Sequence, residues 1–393
     1  MLYSAPMKRT ADGASLGFFR LLFGSAMVMQ MLSYLLNENI INRYLSTGFR
    51  FSYPYLEWVG PLPPPFTYAI FCMMLLAALG IALGYKYRLN IVLFFLGYSW
   101  ILFIDQTEFL NHYYLIWLIA FLLMITNADR FLSIDQYRKK MVTEIPSWNI
   151  WIFQFQIAIV HIFAAIAKIN TDWILRQEPI RMWFPGMPDI GIYSIIWGGI
   201  IFNALIIPLL LWKKTRLFAF GLVVIFHVVN SILFQIGIFP WLMICTTSVF
   251  LHPKWPRRYL SEKIMRGTTV SQAYVRPLLL LYCIIQIALP LRHYLYDGSS
   301  SWNERGRTFA WHMKLRDKQT ILKITSIDVR TKKPFEINPQ DHLSHHQIIR
   351  MQERPELIMM YGRFLLQEHN TIHIHSEASI NGNPYKTMLD MQM

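Results

Sequence analysis

The chain has 393 residues, 54% of them hydrophobic and only 15% charged, with a formal net charge of +14. A soluble domain carries about 25% charged residues, and here charge is nearly absent from long runs before residue 290, which excludes an ordinary soluble enzyme and describes a polytopic membrane protein. The basic excess does not describe a nucleic-acid binder, because Lys and Arg cluster in short connections between apolar runs, where the positive-inside rule accounts for them.

The first fifteen residues are polar (Lys8, Arg9, Asp12), and the apolar run behind them is long enough to span rather than to be cleaved. Because a hydrocarbon layer takes roughly 17–25 residues of helix, spans are predicted over 16–36, 66–84, 91–105, 112–128, 149–168, 192–212, 216–235, 238–252 and 276–291. That is about nine transmembrane helices in a predominantly α-helical fold, with 91–105 and 238–252 on the short side. Alternate connections hold sixteen basic residues against five; the richer set includes Lys8, Arg138, Lys213, Lys263 and Arg266. The N-terminus is therefore expected in the cytoplasm and everything after the ninth span outside it.

Beyond residue 291 the pattern changes. Thr320–Val329 and Thr371–Ile380 alternate as strands do, and 351–368 reads as one amphipathic helix. The expected organisation is a membrane domain over 1–291 and a small extracytoplasmic α+β domain over 292–393. Cys72, Cys245 and Cys283 sit in apolar runs without metal spacing and read as buried thiols. His373 and His375 share a strand face, but four ligands cannot be assembled around them, so no metal is expected.

Ionisable and amide groups at membrane depth are costly, so each is a candidate for function. Three runs carry them: Asp105 to His112 at the start of one span, Lys168 to Trp173 at the end of another, and His227 with Asn230 and Ser231 inside a third. The predicted topology puts the first two at the outer ends of their helices. Asn230 and Ser231 lie on the His227 face, outward of it, so all three runs can line one pocket. Taken singly, Lys168 can snorkel to the interface, His227 can pair between helices, and Trp173 reads as part of an aromatic belt.

Taken together, these runs resemble the vitamin K-dependent gamma-carboxylase family, whose membrane part is called the HTTM domain. The resembling segments follow one another along the chain: Phe19-Arg20 with Phe23-Gly24, Leu83-Gly84 with Tyr87-Arg88, Asp105-Gln-Thr107 with Asn111-His112, and Ala167-Lys168 with Asp172-Trp173. After these come Phe226-His227 with Asn230-Ser231, Pro253 with Trp255-Pro256-Arg257, and Phe309-x-Trp311-x-Met313.

The resemblance implies that reduced vitamin K is oxygenated to its epoxide while a peptide glutamate is carboxylated, with O₂ and CO₂ as co-substrates and neither metal nor biotin. It carries the catalytic base onto Lys168 and the histidine beside the quinone onto His112. Asn111, His227 and Asn230 become cofactor-binding residues. Trp302, Arg307, Phe309 and Trp311 become substrate-binding residues, in the stretch that resembles the family's glutamate-binding segment. An ammonium is no base, and burial among Ile166, Ala167 and Ile169 disfavours the charged form.

A lipid-soluble quinone must reach such a site from the bilayer, and a glutamate-containing peptide or protein from the outer aqueous side. Three departures point to a short bacterial-type member, and hence to a cell inner membrane. Arg307 stands where animal members have a tyrosine, no cysteine lies near Phe51, and no long extracytoplasmic region follows Met393. The rival readings are an epoxidase without carboxylation and a non-enzymatic quinone- or lipid-binding protein of the same fold.

Overall fold

The computed structural model describes residues 9–37, 40–45, 48–234, 236–260, 275–328 and 330–393. Lys8, Lys263 and Arg266, used above to orient the chain, lie outside the described residues, as does Val329 at the end of a predicted strand.

Helices occupy all nine apolar segments: α1 (Ala14–Leu36), α2 (Pro64–Leu83), α3 (Tyr87–Phe103), α4 (Asn111–Ile125), α5 (Trp148–Lys168), α6 (Asp189–Leu211), α7 (Arg216–Phe234), α8 (Phe239–Thr247) and α9 (Val275–Leu291). Among the described residues six are long and apolar enough to cross a membrane: α1, α2, α5, α6, α7, and α9 with its continuation to Leu295. The other three are shorter. At about 1.5 Å per residue, the 15 residues of α4 fall short of the hydrocarbon layer. Most of α4 and α8 is buried, so protein rather than lipid surrounds most of their length and a full span is not required.

Close helix packing explains the small residues. α1 lies along α2, and a Cβ on Gly24 would meet the Ala82 backbone at 2.4 Å, so only glycine allows this approach in a bilayer, where packing rather than hydrophobic exclusion holds helices together. α2 starts with prolines in its first turn and ends at Gly84, whose φ of +63° closes the helix in the left-handed region. The outward faces of α6, α7 and α9 expose Trp197, Ile201, Phe218, Ile232, Leu281 and Ile284, the surface expected to meet acyl chains. Of the three free cysteines only Cys283 is buried; Cys245 is half-buried and Cys72 is exposed.

Beyond α9 the chain forms a four-stranded antiparallel sheet in the order β3 (Pro334–Glu336), β2 (Lys318–Ile327), β4 (Ile372–Ile380), β5 (Lys386–Gln392); a short β1 (Thr10–Asp12) pairs elsewhere with Glu144–Pro146. The predicted helix over 351–368 is instead two, α10 (His345–Gln352) and α11 (Pro355–Leu365). Pro355 disfavours helical backbone at the residue before it, and Arg354 is extended, with φ −124° and ψ 105°. Ile358, Tyr361 and Leu365 of α11 pack on Ile324, Ile372 and Ile374 of the sheet.

The loop between α3 and α4 clamps this region to the helices. Asp105, 1% exposed, accepts hydrogen bonds from the Thr107 amide and hydroxyl and from Gln347 Nε2 at 2.8 Å. Gln347 also closes a capping box with Ser344 at the start of α10. Glu108, 2% exposed, pairs with Arg43 at 3.1 Å and faces His346 at 3.5 Å. Burial pushes the Glu108 carboxyl up to about 7 against the pull of Arg43. Asp105 and Glu108, read above with the candidate site, thus serve the junction between the two parts.

Candidate functional site

One cavity of about 1100 Å³ runs from the middle of the helical bundle to the C-terminal region. Its walls include Asn111 and His112 from α4, Lys168 from α5, His227 and Asn230 from α7, and Arg307 from the segment after α9. Six residues singled out in the sequence thus face one space.

Each is positioned by its own element. Lys168 is in the last turn of α5, where the helix dipole favours a cation. Its Nζ donates to the Ala164 carbonyl at 3.1 Å and lies 5.8 Å from the Trp173 ring centroid. Among the described residues no carboxylate pairs with it. It does not snorkel away: a Cβ on Gly199 of α6 would touch its Cε at 3.7 Å, so the lysine stem crosses the glycine face of the neighbouring helix. Trp173 is no belt residue either, being 3% exposed and packed with Ile180, Ile192 and Ile196.

Asn111 Nδ2 donates to the His312 carbonyl at 3.0 Å, while its Oδ1 is buried without a partner. The His112 ring lies edge-on to Tyr113, with centroids 4.6 Å apart. His227 is 3% exposed and both of its ring nitrogens are unpartnered. A buried polar atom without a partner is costly, and these atoms converge on the same cavity.

The remaining candidates are elsewhere. Trp311 is fully buried and packs on Tyr114 at 5.2 Å, and Phe309 packs on Tyr114 and Phe109 at 4.7 and 4.9 Å. Trp302 lies under Lys318, 5.8 Å from ring centroid to Nζ. None of the three lines the cavity. They shape the segment that does: Glu304, Gly306, Phe309, Trp311 and Lys314 all have positive φ, an accumulation of left-handed backbone that aromatic residues adopt only when their rings are firmly packed.

That segment makes the end of the cavity at the C-terminal region strongly basic. Arg307, Lys314, Arg316, Lys318, Arg350 and Arg354 line it, against Glu304, Asp317 and Glu353. Burial and the neighbouring Arg316 push the Arg307 guanidinium down to about 10, and its Nη1 is buried without a partner. Burial raises the Glu304 carboxyl, but Arg307 and Arg316 outweigh it and hold the group below the usual carboxylate range. Lys318 Nζ donates to the carbonyls of Trp302 and Glu353 at 2.6 Å each. Burial and Arg316 bring its amine down to about 7.

Among the cavity residues that escaped the reading of the sequence are His161 on α5 and Asn203 on α6, joined by a 2.9 Å hydrogen bond. Their signal was present. His161 precedes Lys168 by seven residues, two helical turns, and so shares its face.

The arrangement brings an amine, unpartnered imidazole and amide atoms and a cationic mouth into one volume. Among the described residues no group of three or more His, Cys, Asp or Glu is arranged to hold a metal ion. Residues 8–255 match the family model described as the HTTM domain, and residues 271–393 match that of the vitamin K-dependent gamma-carboxylase, lumenal domain. No solved structure matches the chain. Two consecutive matches covering nearly all of the sequence place this multi-pass membrane protein in the vitamin K-dependent gamma-carboxylase family.

Proposed function

We propose that the cavity carries out quinol oxygenation coupled to glutamate carboxylation, with reduced vitamin K bound among α4 to α7 and a peptide glutamate at the basic mouth. The observation that carries this reading is Lys168 sharing one buried volume with Asn111, His112 and His227, although three helices supply them. The cavity suits the group in chemistry as well as size: its inner wall has apolar Phe202, Leu222 and Phe226 beside unpartnered imidazole and amide atoms, the combination typical of small-molecule sites. Bound there, reduced vitamin K would supply, through its oxygenation by O₂ to the epoxide, the strong base needed for the glutamate γ-carbon proton.

The side chains have separate tasks. Lys168 takes the hydroxyl proton of the quinol as general base. His112 and Asn111 bracket the ring from α4, and His227 and Asn230 from α7. Arg307 and Lys318 hold the substrate carboxylate, for which charge-assisted hydrogen bonds from guanidinium and ammonium groups are the strong choice. The basic mouth belongs to the region proposed to face outward, where a peptide arrives. The test is to supply purified protein with reduced vitamin K, O₂, labelled CO₂ and a glutamate-rich peptide. Label in the peptide together with epoxide is the expected result. Epoxide without label would leave an epoxidase, and binding without either product a carrier.

A pH dependence follows from Lys318. Its amine loses its proton as pH rises through about 7, so the mouth gives up one positive charge just above neutrality. Because kcat/KM reports groups of the free enzyme, kcat/KM for the peptide should fall above pH 7, by about tenfold if one charged hydrogen bond is lost. Lys318→Arg, charged throughout, should flatten this limb, and an unchanged profile in that variant would remove Lys318 from substrate binding.

A further inference from the structure

The cavity contains a donor–acceptor arrangement that the functions assigned above do not use. His161 is 1% exposed on α5, its Nδ1 is 2.9 Å from Asn203 Oδ1, and its Nε2 is buried without a partner. Asn203 is itself oriented: its Nδ2 donates to the Gly199 carbonyl at 2.6 Å, which leaves its oxygen toward the imidazole. An oxygen accepts only, so His161 must carry its hydrogen on Nδ1 and present a bare lone pair at Nε2. The other rings beside it are Phe202 and His227, with centroids 5.7 and 6.2 Å away.

We infer that His161, set in this tautomer by Asn203, makes the cavity selective for the reduced over the oxidised quinone by accepting a hydrogen bond from one quinol hydroxyl. The inference rests on the quinol reading above and adds redox selectivity to it. A quinol offers an O–H to the Nε2 lone pair. A quinone or its epoxide offers only carbonyl or ether oxygens, which leave the lone pair buried and unpaired against another acceptor. Sites built around a substrate hydroxyl reject analogues lacking it far better than apolar sites do.

The placement suits a ring with hydroxyls at both ends. Seven helical residues separate His161 and Lys168, a rise of about 10 Å, and the Lys168 stem folds back toward Ala164 and shortens the gap. A para-dihydroxy ring with one hydrogen bond at each end bridges a span of that order, so one hydroxyl addresses Lys168 and the other His161. Product release gains as well, since the oxidised product no longer satisfies Nε2.

The test measures binding without turnover. Phylloquinol and phylloquinone are titrated separately, without O₂, into the full-length protein in detergent, and quenching of cavity tryptophans such as Trp173 and Trp183 is followed. The wild type should favour quinol by about tenfold or more. His161→Asn keeps a polar atom near Nδ1 for Asn203 but has none at the Nε2 position, and should bring the ratio close to one by weakening quinol binding. His161→Gln returns an acceptor near the Nε2 position and should restore most of the preference. A purely structural His161 would not separate these two variants. Equal binding of both forms by the wild type, or full preference in His161→Asn, would overturn the inference. Binding of neither form by the wild type would overturn the quinol reading along with it.

Discussion

Lys168→Ala should abolish both epoxide formation and CO₂ incorporation, with rates falling by at least about a thousandfold, the upper part of the range for a positioned general base. Substitution leaves no amine able to take over. The other lysines lining the cavity, Lys314 and Lys318, belong to the C-terminal region, and Lys318 is tethered there by two of its three donors, to the Trp302 and Glu353 carbonyls. The fold should tolerate the change, since among the described residues Lys168 Nζ makes no ion pair and bonds only to the Ala164 carbonyl of its own helix.

Lys168→Arg separates two explanations. Arginine keeps the charge and much of the length but cannot deprotonate, so a lysine acting as base predicts an inactive arginine enzyme. A lysine acting only as a fixed charge predicts substantial activity. Quinol affinity measured without O₂ should fall far less than the rate in both variants. A loss confined to affinity would make Lys168 a binding residue.

Much of this architecture was legible because the bilayer writes its demands in long runs. Nine apolar segments stand out in the sequence and helices occupy all nine, six of them long and apolar enough to cross a membrane and three shorter. Lys168, His112 and His227 were visible for the same reason, since few polar residues are tolerated at that depth.

What was hidden depends on tertiary pairing or side-chain direction. His161 resembles any histidine in an apolar run until Asn203, forty-two residues later, is found against its Nδ1. Asp105 and Glu108 look like candidates for chemistry, but their partners Gln347 and His346 come from the far end of the chain. Motif spacing could select Phe309 and Trp311 but not turn their rings: positive φ at both sends them into the core behind the cavity wall. The break at Pro355 needed only the rule for residues before proline.

Arg20→Met should be the most damaging single change outside the cavity. Arg20 is fully buried in α1. Its guanidinium donates to the carbonyls of Ile81, Ala82, Ala128, Phe131 and Leu132, with Nη1 to Ala82 at 2.8 Å and Nε to Ala128 at 3.2 Å. Ile81 and Ala82 are in the last turn of α2, where helix carbonyls lack intrahelical donors, and the other three lie in the turn after α4. One side chain therefore closes the ends of two helices against a third, in a place water does not reach. Gly84 belongs to the same device, since a Cβ there would meet Arg20 Nη1 at 2.8 Å and Ser133 Oγ at 2.4 Å. Methionine fills similar volume without a donor, leaving several buried carbonyls unsatisfied at about 1–3 kcal/mol each. Even with partial relaxation the loss should be at least about 4 kcal/mol, comparable to breaking a buried ionic interaction. Thermal unfolding in detergent, followed by tryptophan fluorescence, should show the midpoint lowered by about 5–10 °C or no monodisperse protein at all. Arg88→Met is the control, since exposed Arg88 donates to one carbonyl, Met124 at 2.8 Å, and should shift the midpoint little. Equal midpoints for Arg20→Met and Arg88→Met would mean that the helix ends are held by packing alone.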